Sequence, residues 1–79
     1  MNEIEDILNN ANYYEYIYSE LKDQVGKRIG ISFYIGMYKS NKVVYGILNY
    51  INHELVSIKT ENSELIVKLN EVYLVYIEN

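Results

Sequence analysis

The stretch Val43-Val44-Tyr45-Gly46-Ile47-Leu48-Asn49-Tyr50-Ile51-Asn52-His53-Glu54-Leu55-Val56-Ser57-Ile58 decides the fold. It reads as two strands joined by a tight polar turn at Asn52-His53-Glu54. Gly46 lies inside the first of them. A glycine in a strand interior weakens pairing, so it marks a sharp bend or a close backbone approach. A bent central hairpin of this kind lets a very small sheet curl on itself.

On the C-terminal side, Leu55 to Thr60 continues the second strand, with Leu55, Val56 and Ile58 turned toward the core. Glu61-Asn62-Ser63 is a turn, Leu65 to Leu69 is a short apolar strand, Asn70-Glu71 is a corner, and Val72 to Ile77 closes the set. These last two strands carry few polar positions, so both of their faces need cover. Free apolar edges are a hazard that pairing with a neighbouring copy removes. On the N-terminal side, Arg28 to Tyr38 alternates with period two. Ile29, Ile31, Phe33, Ile35 and Met37 face the core. Gly30 and Gly36 lie on the other face, where they permit curvature. Lys39-Ser40-Asn41-Lys42 forms the turn back into the central stretch.

Residues 3–25 read as a helix. Ile4, Ile7, Ala11, Tyr14, Tyr18, Leu21 and Val25 recur at steps of three and four and share one stripe. Asn2 with Glu5, and Asn12 with Glu15, resemble capping boxes, and Asn9 to Asn12 is a weak point in helix propensity. Gly26 is placed as the C-terminal cap. The stripe packs over the sheet or joins another chain as a coiled coil.

At 79 residues the chain is expected to be a single domain, 1–79, with the helix in 1–25 and the sheet in 26–79. A domain of this size is marginally stable and usually gains from disulfides, a metal or a partner subunit. There is no cysteine and only one histidine. A disulfide framework is therefore excluded and a zinc site is not expected, which leaves self-association. No run approaches the roughly 18–20 apolar residues of a span, and the acidic start Met-Asn-Glu-Ile-Glu-Asp lacks the pattern of a secretory signal. The expectations are a cytoplasmic location and no membrane partner. The net charge of −4 is uneven: residues 1–25 carry −5 and residues 26–79 carry +1. Neither part has the dense basic patch that phosphate-backbone binding draws on.

The sequence points away from catalysis. His53 has no cysteine, and no serine in a nucleophile motif, to act on. It reads as a solvated turn residue beside Glu54. Glu3, Glu5 and Asp6 cluster where a helix N-terminus favours negative charge. No glycine-rich phosphate loop is present, and no cofactor is expected. The ten tyrosines are suited to core and interface packing or to stacking on bases.

A helix followed by five short strands with a bent second strand resembles the Sm-like (Hfq- and Lsm-type) family of small β-barrels. The resemblance covers roughly Leu21 to Ile77. Val44, Gly46, Leu48, Ile51, Asn52, Leu55 and Ile58 occupy the places of the family's first motif. Ile66-Val67-Lys68-Leu69-Asn70, with Val72 and Val75, is similar to the second. The resemblance implies a mostly β fold with an N-terminal α-helix and a five-stranded, strongly bent antiparallel barrel. It also implies a homo-oligomeric ring made by pairing the last strand of one subunit with the fourth of the next. Leu65, Val67, Tyr73, Val75 and Tyr76 would then form the subunit interface. Positions that contact RNA in the family are altered: the Asp after the second strand is Asn52, the Asn of the third is Val56, and the later basic pair is Lys68-Leu69. Tyr50, Asn52, His53, Lys68 and Asn70 are the expected ligand or RNA contacts. The expected function is a non-enzymatic binding or scaffolding module acting through protein or small-ligand contacts at subunit interfaces. Two alternatives stay open: an RNA-binding ring using Lys39, Lys42, Lys59 and Lys68 with tyrosines, and sequestration of a nucleotide-like ligand between subunits.

Overall fold

The computed structural model describes residues 15–40 and 42–78. The helix starts 2–6 and 12–15, the stripe positions Ile4, Ile7, Ala11 and Tyr14, and the turn residue Asn41 lie wholly or partly outside them. Residues 15–21 are helical (α1) and run into a 3-10 turn, Lys22–Gln24. Six strands follow: β1 Arg28–Ile35, β2 Tyr38–Lys39, β3 Val44–Ile51, β4 Leu55–Lys59, β5 Glu64–Lys68 and β6 Val72–Ile77. A second 3-10 turn, Leu69–Glu71, links β5 to β6. It is the corner expected at Asn70-Glu71.

All pairings are antiparallel. β5 lies next to β4, β4 next to β3, and β3 next to β1, whose other edge takes β6. The sixth strand arises because the segment returning from β1 is interrupted. β2 pairs with the end of β1 (Tyr34 opposite Lys39), the chain then departs, and β3 resumes the ladder with Val44 opposite Ile31. The Ser32 hydroxyl donates to the Lys42 carbonyl oxygen at 3.0 Å and bridges that interruption. Register shifts at Ser32/Phe33 and Leu48/Tyr50 bend the sheet. The sheet is not closed: among the described residues β5 pairs only with β4, and β6 only with β1. A closed barrel within one chain is therefore not what forms.

The core consists of Ile29, Ile31, Leu48, Val56, Ile58, Val67, Leu69 and Val72 from the sheet and its corner, with Ile17 and Leu21 from α1. Gly46 points to the same side as Leu48. A Cβ there would sit 2.7 Å from the Lys59 carbonyl oxygen and against the Ile58 Cγ2 methyl. The missing side chain at Gly46 thus lets the end of β4 approach β3 closely, in keeping with the close-approach reading of this glycine, while the irregularity in β3 lies further on, at Leu48/Tyr50.

Three expectations are corrected. The long strand over 28–38 ends at Ile35, because Gly36 takes φ +63° and turns the chain. Ile35 (62%) and Met37 (91%) are exposed at that hairpin rather than in the core. Gly36 serves a turn, not strand curvature. The helix stripe is also displaced. Val25 is exposed because the backbone has left the helix there, while Ile17, one turn before Leu21, is buried. Gly26 takes φ +88°, in keeping with a chain reversal after the helix.

Candidate functional site

The turn between β3 and β4 is built by Asn52. Its backbone N–H donates to the Leu55 carbonyl oxygen at 3.0 Å. Its side-chain oxygen accepts from the N–H groups of Glu54 at 2.7 Å and Leu55 at 2.8 Å. Its amide nitrogen donates to the Tyr50 hydroxyl at 3.3 Å. The turn is tied to the β5–β6 corner by the Leu69 N–H, which donates to the Glu54 carbonyl oxygen at 2.8 Å. Leu69 itself is buried and anchors that corner. Tyr50, Asn52 and His53 therefore come to the same end of the sheet as Lys68 and Asn70.

The five expected contacts fall into distinct roles. Asn52 spends its oxygen on the turn. The His53 ring stacks on Tyr18 of α1, with centroids 3.9 Å apart and planes at 22°. It is exposed, as expected of a turn residue, yet it also docks the helix against the hairpin. Tyr50, Lys68 and Asn70 are exposed. The end of the sheet thus presents a phenol, an ammonium and an amide around a fixed turn, which are groups for recognition by hydrogen bonding and charge. Among the described residues no group of three or more His, Cys, Asp or Glu is placed to hold a metal ion.

The two outer edges form a second region. Of the five expected interface residues, only Tyr76 is exposed, at 44%. Val67 is a core residue, and Leu65 and Val75 pack against the core. Tyr73 is half-buried, packs against Tyr34 with centroids 5.2 Å apart and planes tilted by 56°, donates its hydroxyl to the Ser40 carbonyl oxygen, and lies beneath the Lys39 ammonium at 5.2 Å. The apolar side chains that face outward are Ile66 on β5 and Leu74 and Tyr76 on β6. The reason is the pairing of Val56 with Val67, which turns Val67 inward and Ile66 outward. Ile66 lines a groove with Phe33, Ile35 and Leu65 along the β5 edge. Leu74 and Ile77 line another with Tyr16 and Ile17 of α1 along β6.

A third region escaped the sequence reading. Arg28, Tyr45, Ile47 and Lys59 line an open groove with Thr60, Glu61 and Asn62 on the outer face. The available signal was Gly46 facing inward, which places its neighbours Tyr45 and Ile47 outward. Joining them to Arg28 and Lys59 required the cross-strand register.

Comparison with protein-family models, with curated proteins and with solved structures finds no match.

Proposed function

We propose that this chain is a non-enzymatic Sm-like binding or scaffolding module that assembles by pairing the free edge of β5 with the free edge of β6 in the next copy. Protein or small-ligand contacts would then be made at the subunit interfaces. The observation that carries this reading is the open sheet. Its two outer strands, five and six residues long, each have one backbone edge without a partner among the described residues and an exposed apolar side chain beside it. A head-to-tail contact between two different edges repeats from copy to copy and closes into a ring when the rotation allows. The grooves beside β5 and β6 supply apolar cover on both sides of such a joint.

The assembled mass, measured by light scattering after gel filtration at tens of micromolar, tests this. A discrete multiple of 9.3 kDa is expected. A monomer at that concentration overturns the reading.

RNA binding is the second reading. It is supported by the convergence of Tyr50, Lys68 and Asn70 at one end of the sheet. It predicts oligonucleotide affinity that falls steeply with added salt, and the absence of any complex at low salt overturns it. Two features weigh against it: the turn already uses the Asn52 oxygen, and Tyr18 covers one face of His53.

A further inference from the structure

The groove on the outer face combines a fixed aromatic ring with two cations. Gly46 pairs with Ile29, and its flanking residues Tyr45 and Ile47 pair with Gly30 and Arg28 of β1. Ile47 also pairs with Lys59 of β4. Lys59, Ile47 and Arg28 are thus one cross-strand row on one face. The two cationic residues bracket the isoleucine at about 10 Å, two strand spacings apart. Tyr45 is two residues from Ile47 on the same face, about 7 Å along the strand.

The Tyr45 ring is held in place. A Cβ on Gly30 would lie 2.7 Å from its Cε1 and 2.8 Å from its Cδ1, so the ring rests directly on the glycine backbone. Its position is set by that seat, while 44% of the residue stays open to solvent. The Arg28 guanidinium lies over the ring, 5.3 Å from its centroid, and its Nε is 3.4 Å from a carboxylate oxygen of Glu78, both side chains being mostly exposed. That contact engages one of the five donors of the guanidinium fork. Lys59 has no ion-pair partner among the described residues, and Glu61 and Asn62 complete the rim.

We infer that this groove binds a planar aromatic anion of the nucleoside-monophosphate class, its ring replacing the Arg28 guanidinium over Tyr45 and its phosphate between the displaced Arg28 and Lys59. The Tyr45 ring is already seated, and a base that displaces the Arg28 guanidinium from it frees that side chain for the phosphate. Arg28 offers planar donors to phosphate oxygens, and Lys59 adds a mobile point charge. Glu61 opposes added negative charge, which favours one phosphate over three. The site lies within a single chain, so it stands or falls separately from the assembly proposed above.

Titration of the full chain at low salt, followed by amide chemical shifts and calorimetry, tests this with adenosine and uridine monophosphates, ribose 5-phosphate, adenosine and inorganic phosphate. The expected result is saturable one-to-one binding of the monophosphates, with shifts centred on residues 28, 45–47 and 59–62. Ribose 5-phosphate should bind at least about fivefold more weakly for want of stacking. Lys59→Gln, a change on an exposed side chain, should weaken binding by about tenfold, and Glu61→Gln should strengthen it. Tyr45→Leu, which keeps an apolar cover over Gly30, should remove the preference for the nucleoside over ribose 5-phosphate. Three results overturn the proposal: no saturation by roughly 10 mM, inorganic phosphate binding as well as the monophosphates, or unchanged affinity in Lys59→Gln.

Discussion

Replacing Gly46 with alanine is the sharpest test of how this sheet is bent. The added methyl would point into the core, 2.7 Å from the Lys59 carbonyl oxygen and against the Ile58 Cγ2 methyl. Neither neighbour yields easily. The carbonyl belongs to the end of β4, which is registered on β3 through Ile47 and Lys59, and Ile58 is fully buried. Overpacking of a close-packed core costs about 1–3 kcal/mol. The smaller conformational entropy of the unfolded alanine chain offsets about 0.4–1 kcal/mol of that. A net loss of about 1.3 kcal/mol follows from the midpoints, a sizeable part of the ~4–12 kcal/mol ordinary for a chain of this length. It should lower the melting temperature by about 5–10 °C, with a matching fall in the urea midpoint at fixed protein concentration, since assembly shifts apparent stability. Gly36→Ala provides the contrast. Nothing lies within 4 Å of its added methyl, and its cost comes only from φ +63°, about 1 kcal/mol. A Gly46→Ala protein as stable as the parent, or more stable than Gly36→Ala, would refute the close approach of β4 over β3.

Asn52→Ala should lose about 1–2 kcal/mol in urea denaturation, because two backbone N–H groups lose their acceptor, whereas Asn52→Asp keeps that oxygen and should stay within about 0.5 kcal/mol of the parent. Equal losses in both variants would assign the Asn52 side chain to something other than the turn. Ser57 is buried with its hydroxyl unpartnered, so Ser57→Ala should be neutral or stabilising by up to about 1 kcal/mol in the same assay; a clear loss would mean that the hydroxyl has a partner. His53→Ala removes the stack on Tyr18 and should cost about 0.5–1.5 kcal/mol, with larger amide-exchange gains in residues 15–21 than in β1. Ile66→Lys changes an exposed side chain and should leave the thermal stability of a dissociated chain nearly unchanged while reducing the assembled mass; an unaltered mass would remove Ile66 from the joint.

The parts of the fold that were legible in the sequence are those set by neighbours in the chain. Alternation through Ile29 and Ile31, the polar turn at Asn52, the corner near Asn70 and the close approach at Gly46 were each signalled by a few adjacent residues. The errors arose where facing depends on distant partners. Leu65-Ile66-Val67 is apolar throughout, so periodicity cannot say which residue turns inward; the pairing of Val67 with Val56 decides it. Alternation carries on through Ile35 and Met37 although the sheet beneath them has ended, since a turn glycine and a strand glycine look alike in sequence. At the candidate site, the family resemblance alone grouped Tyr50, Lys68 and Asn70, and the hydrogen bond from Leu69 to Glu54 is what joins their two corners. The Tyr18–His53 stack joins residues 35 positions apart, and no local pattern announces it. The groove of Arg28, Tyr45 and Lys59 spans three strands and is visible only once their register is known.

The corner between β5 and β6 explains why the sheet stays open. A tight hairpin would have paired these consecutive strands with each other. Instead the chain makes a 3-10 turn whose first residue, Leu69, is buried and hydrogen-bonded to the β3–β4 turn. That anchor carries β6 across to β1, where Phe33 meets Val72 and Ile29 meets Ile77. The ends of the sheet are thereby consecutive in the chain but unpaired in space. Charged residues stand at both ends of β5 (Glu64 and Lys68) and just beyond β6 (Glu78), while the middle of each strand stays apolar. Charge distributed in this way restricts unregistered edge-to-edge growth while leaving a short central segment able to pair. In the proposed assembly one buried leucine thus has two effects: it completes the core of its own subunit and keeps both edges available to the next.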